Sequence, residues 1–61
     1  MKVIVEYLKG SERKTETWFY VDMIDYDPVH VALRLEAQNV YLPSAQILRM
    51  IIEDDPEVLI F

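Results

Sequence analysis

The stretch from Thr17 to Leu35, TWFYVDMIDYDPVHVALRL, constrains the fold more than any other part of the chain. From His30 to Glu36 the residues alternate strictly, with Val29, Val31, Leu33 and Leu35 on one side and His30, Ala32, Arg34 and Glu36 on the other. That period of two is what a strand with one buried face requires. Upstream, Thr17 to Tyr26 is rich in aromatic and β-branched residues, and its Phe19, Val21, Met23 set is wholly apolar. Trp18, Tyr20, Asp22, Ile24 and Tyr26 combine apolar bulk with polar tips, so this strand is apolar on both faces. Asp27-Pro28 lies between the two runs, where Asp holds a turn through its side chain and Pro presets the backbone angle of the second turn position. The pattern predicts a β-hairpin. Its first strand needs two covers, and a chain of 61 residues supplies one, which makes a second copy the candidate for the other.

The flanking segments extend the same reading. Lys2 to Leu8 alternates as a first strand. The polar run Lys9-Gly10-Ser11-Glu12-Arg13-Lys14, with the only glycine, has the composition of an exposed loop. Ala37-Gln38-Asn39 reads as a tight turn with Asn39 in the left-handed conformation, followed by a short strand Val40-Tyr41-Leu42 that Pro43 ends. Residues 44–53 have two readings. A helix capped by Ser44 gathers Ala45, Leu48, Ile51 and Ile52 but leaves Ile47 and Met50 on the polar side. One turn followed by a strand aligns Leu48, Met50 and Ile52 against Ile47, Arg49 and Ile51, and this reading is favoured. The acids Glu53, Asp54, Asp55 and Glu57 precede an apolar end, Val58-Leu59-Ile60-Phe61, expected as a last strand on its own barrel or on a neighbour's edge. The fold predicted is all-β: one domain over 1–61, a small, strongly bent antiparallel barrel of five or six strands with a short helical turn or helix near 44–53.

A core of this size seldom supplies more than a few kcal/mol. Without cysteine neither a disulfide nor a thiolate zinc site adds to it, and oligomerisation is the ordinary remaining source. Eleven acidic against six basic residues give a formal charge of −5, which repels phosphate backbones and disfavours nucleic acid as a partner. No signal-peptide pattern opens the chain and no apolar run approaches the ~20 residues that span a bilayer, so a cytoplasmic location away from membranes is expected.

Little here suggests chemistry. His30 has Asp25 and Asp27 nearby in sequence but no metal-ligand spacing, and Asp22, Asp25 and Asp27 lack the pattern of a calcium loop. Ser11, Ser44, Thr15 and Thr17 sit in no nucleophile motif, and a single glycine cannot build a phosphate-cradling loop. No enzyme activity, metal or cofactor is expected. Trp18, Tyr20, Tyr26 and Tyr41 have acids as neighbours, which suits core or protein-interface roles better than base stacking.

Tyr26-Asp27-Pro28-Val29-His30-Val31-Ala32-Leu33-Arg34 resembles the first Sm motif, in which an aromatic-Asp turn leads into an alternating strand. Val40-Tyr41-Leu42-Pro43-Ser44-Ala45-Gln46-Ile47 is similar to the second, and the two cover about half of the chain as hydrophobic pattern. The resemblance, shared with SH3-like barrels generally, implies a ring-forming barrel. The chain departs from the Sm-like and Hfq-like pattern in three ways. Val21 stands where a bend glycine belongs, Leu42, Pro43 and Ser44 replace the RNA-facing turn, and strand replaces the N-terminal helix.

Two functional expectations follow. The first is a self-associating homo-oligomer that binds protein partners or serves in assembly, with Trp18, Tyr20, Leu59, Ile60 and Phe61 at the interface. The second is an Sm-like RNA-binding ring on which Lys9, Arg13, Lys14 and Arg49 of several copies converge.

Overall fold

The computed structural model describes residues 1–57, so the strand expected around Leu59 to Phe61 lies outside the described residues. Six strands form, β1 (Lys2–Lys9), β2 (Glu12–Trp18), β3 (Met23–Tyr26), β4 (His30–Arg34), β5 (Asn39–Pro43) and β6 (Ile47–Glu53), with a 3-10 turn over Ser44–Gln46. They make two three-stranded antiparallel sheets, ordered β2-β1-β6 and β3-β4-β5. The all-β class is thus as expected. The barrel is not closed, because no hydrogen-bonded ladder runs from one sheet to the other among the described residues.

Gly10-Ser11 is the whole connection between β1 and β2, since Lys9 already pairs with Glu12. Gly10 has φ +64 and Ser11 does not follow it into positive φ, the arrangement of a hairpin turn that wants glycine first. The expected loop over Lys9 to Lys14 is therefore mostly strand. Its polarity marks exposure to water, and backbone groups flanking so short a turn still pair.

The strand expected from Thr17 to Tyr26 is broken in two. β2 ends at Trp18 and β3 starts at Met23, and of the Phe19, Val21, Met23 set only Val21 is buried. The Asp27 turn forms as read: the Asp27 amide donates to the His30 carbonyl (3.1 Å), and Asp27 Oδ1 accepts the amides of Val29 (2.7 Å) and His30 (2.9 Å). Val29 belongs to this turn and is exposed, contrary to the alternation. Ala32, on the outer face of β4, is nonetheless buried, flanked in register by Asp25 and Tyr41. At the next turn the Leu35 amide donates to the Gln38 carbonyl (2.9 Å), while Asn39 opens β5 opposite Arg34 without left-handed backbone.

Between β5 and β6 one 3-10 turn and a strand form, as the favoured reading had it. Ser44 caps no helix: its hydroxyl donates to the Asp27 carbonyl (3.0 Å) and its amide to the Val29 carbonyl (2.9 Å), tying this corner to the β3–β4 turn. In β6, Tyr7 lies opposite Ile47 but Glu6 lies opposite Arg49, so Leu48 is an extra residue. This bulge inverts the alternation and lets Ile47 and Met50, three apart, both pack on the core. The face expected for Leu48, Met50 and Ile52 therefore loses Leu48, which is exposed.

The two sheets meet over Val3, Val5, Val21, Val31, Leu33 and Leu42, with Trp18, Ile24, Val40 and Met50 among the side chains around them. Each fully withdrawn Val or Leu is worth roughly 1.5–3 kcal/mol. Leu33, Val3, Val5 and Val21 are the largest such residues, so both sheets depend on one small core.

Candidate interaction surfaces

Val3 pairs with Trp18, while Met1 exchanges two backbone hydrogen bonds with Val21: the Val21 amide donates to the Met1 carbonyl (2.8 Å) and the Met1 amino group to the Val21 carbonyl (2.7 Å). Between those pairs Lys2 alone faces two residues, Phe19 and Tyr20, which is a β-bulge. Tyr20 takes the left-handed conformation, φ 57, that glycine holds without strain, at a cost of about 1 kcal/mol. A bulge leaves its extra residue without a ladder partner. Here the Tyr20 amide donates to Asp55 Oδ1 (2.8 Å), while the Met1 amino group donates to Asp55 Oδ2 (2.9 Å).

Asp55 thus clamps the bend. The hydrogen bond from the Met1 amino group holds its carboxyl below the usual carboxylate range, and the Tyr20 amide adds to this against a partial loss of hydration. Buried Val21 anchors the far side of the bulge. Phe19 and Tyr20 stay exposed, at 46% and 53%, with the Lys2 ammonium 5.6 Å from the Phe19 ring centre and 3.5 Å from Glu53 Oε2. The bend after β2 is made at Tyr20, without a glycine.

Further exposed apolar side chains stand on β5 and β6, each an outermost strand of its sheet. β5, Asn39–Pro43, carries no charged residue and leaves Tyr41 60% exposed, and β6 adds exposed Leu48 and Ile52. On the outer face of the β3-β4-β5 sheet Tyr41 shares a row with Ala32 and Asp25. Arg34 on that face is hydrogen-bonded to the Asp25 carboxylate, which raises the guanidinium pKa.

Of the residues singled out from sequence, Trp18 is half-buried against the core and Tyr20 is exposed on the bulge. The four cations do not gather within one chain. Arg13, within 3.3 Å of Glu6, and Arg49, opposite Glu6 in register, share one face of the β2-β1-β6 sheet. Lys9 and Lys14 share the other, and Lys14 reaches Glu12 at 2.9 Å. Tyr7 donates to the Glu16 carboxylate on that face, which raises the phenol pKa. His30 is exposed opposite Pro43, and no group of three or more potential ligands is placed to hold a metal among the described residues. No helix there is long and apolar enough to cross a membrane.

Sequence reasoning missed the bulge and its clamp. Tyrosine is not a left-handed former, and nothing in the acidic run distinguishes Asp55 from its neighbours; only the tertiary contact does. No family model, curated protein or solved structure matches this chain.

Proposed function

We propose that this chain is a non-enzymatic, self-associating protein-interaction module whose copies meet along the β5–β6 side. The observation that carries the reading is the composition of the outer strands. β2 is charged at Glu12, Arg13, Lys14 and Glu16, as strands guarded against pairing are, whereas β5 has an unguarded edge beside exposed Tyr41. Exposed Leu48 and Ile52 add apolar surface on β6, and the small shared core supports a need for further burial. The bend between β2 and β3 and the 3-10 turn before β6 support the strongly bent form of the fold, while the strand order leaves the barrel open.

Light scattering at two concentrations tests this, with the native chain beside Tyr41→Lys. The native chain is expected above the 7.2 kDa monomer mass, and the lysine variant is expected to fall to it. A native monomer at both concentrations overturns the proposal. An assembly of about five to seven copies favours the Sm-like RNA-binding alternative, because closed rings are one outcome of repeated head-to-tail contacts. Salt-dependent binding of a short uridine- or adenine-rich oligonucleotide is then the next measurement.

A further inference from the structure

Tyr20 holds a backbone conformation that glycine would hold without strain, and its ring is 53% exposed with no hydrogen bond from its hydroxyl among the described residues. The ring of this strained residue is therefore free to make a contact outside the chain. Phe19 beside it is also exposed, so the bulge displays two adjacent aromatic rings. The surroundings set the sign of whatever meets them. Asp22 follows in sequence, and Asp54 and Glu57 flank the Asp55 clamp; all three are exposed, and none has a cation within ion-pair distance among the described residues. A second copy, at a formal −5, or a nucleic acid would add negative charge to this rim. A cationic chain would neutralise it, and the Lys2 ammonium over Phe19 is an internal instance of the contact.

We infer that the β2–β3 bulge is a docking site for a cationic segment of another protein, with Tyr20 and Phe19 as its aromatic anchors and Asp22, Asp54 and Glu57 as its charged rim. The site adjoins the end of β6 through Asp55, whereas Tyr41 lies on β5 of the other sheet, so the site does not depend on the contact that Tyr41 would make. Aromatic anchors encircled by complementary charge are the usual arrangement of a small interface, in which the rings hold the partner and the charges select it.

The test is fluorescence anisotropy with an arginine- and leucine-rich peptide and its glutamate-substituted counterpart. The proteins are the native chain, Tyr20→Gly, the Asp54→Asn, Glu57→Gln double variant, and Tyr41→Lys. Glycine keeps the left-handed backbone, so Tyr20→Gly removes the ring and preserves the bend, as circular dichroism and a melting curve verify. The arginine peptide is expected to bind the native chain, about tenfold more weakly to Tyr20→Gly and several-fold more weakly to the double variant, with affinity falling as salt rises. Tyr41→Lys is expected to bind it like the native chain, even where that variant is monomeric. The inference is overturned if folded Tyr20→Gly binds like the native chain. It is equally overturned if the native chain binds neither peptide, or both alike.

Discussion

β2 and β5 are both outermost strands, and they differ in what they offer the solvent. Every residue of β2 from Glu12 to Thr17 is exposed, on a hairpin that extends beyond the core, and four of those six are charged. β5 has no charge, buries Leu42 and half-buries Val40, and lies against the corner made by Ser44 and the Asp27 turn. The first strand is built to remain in water, and water solvates its free edge. The second combines an apolar interior with an unguarded edge, the combination that recruits another strand or surface. Composition along an edge thus separates two strands that topology alone treats alike.

The largest expected effect tests whether the two regions stand on one core. Leu33→Ala removes a wholly buried β4 side chain and is expected to cost about 2–5 kcal/mol, enough to unfold much of a domain this small. Urea melts followed by Trp18 fluorescence and by circular dichroism should shift together. Separate transitions would show that the β1–β2 hairpin stands apart from the β3-β4-β5 sheet.

Next in size is a reversal of the comparison. Replacing Glu12, Arg13 and Lys14 together by Thr strips β2 of most of its charge while keeping strand propensity. This variant is expected to associate more strongly than the native chain, seen as a rise in light-scattering mass with concentration. An unchanged mass would mean that charge is not what keeps the β2 edge free.

Acid should weaken both corners of the molecule. Asp27 is held below the ordinary carboxylate pKa by the His30 and Val29 amides, and Asp55 by the Met1 amino group and the Tyr20 amide. A folded-state pKa below the unfolded value contributes stability above the unfolded value, about pH 4, that is lost as pH falls through the folded one. Melting temperature is therefore expected to drop below about pH 4, with Asp27→Asn and Asp55→Asn each flattening part of the fall. The single variants apportion the loss between the β3–β4 turn and the bulge. A double variant as acid-sensitive as the native chain would exclude both carboxylates as its cause.

The smallest effect concerns the bulge itself. Tyr20→Gly is expected to leave stability unchanged or raise it by up to about 1 kcal/mol, the strain released being partly offset by glycine's greater freedom when unfolded. A loss of stability instead would show that the Tyr20 ring contributes to packing.

Much of the architecture was legible in local pattern. The alternation around Val31 and Leu33 marked β4, Asp27-Pro28 marked its turn, and Pro43 with the following apolar run marked a corner and a strand. These are effects of a few adjacent residues, which is why the sequence by itself determined them, along with the all-β class, the absence of disulfides and the negative charge. Tertiary structure alone decided where alternation fails. Leu48 is extruded so that Ile47 and Met50 can both reach the core, and Tyr20 is forced left-handed because Val21 is drawn inward while Asp55, thirty-five residues away, accepts its amide. Such bulges arise where packing outweighs backbone preference, and the residues that outweigh it are neighbours only once the chain has folded.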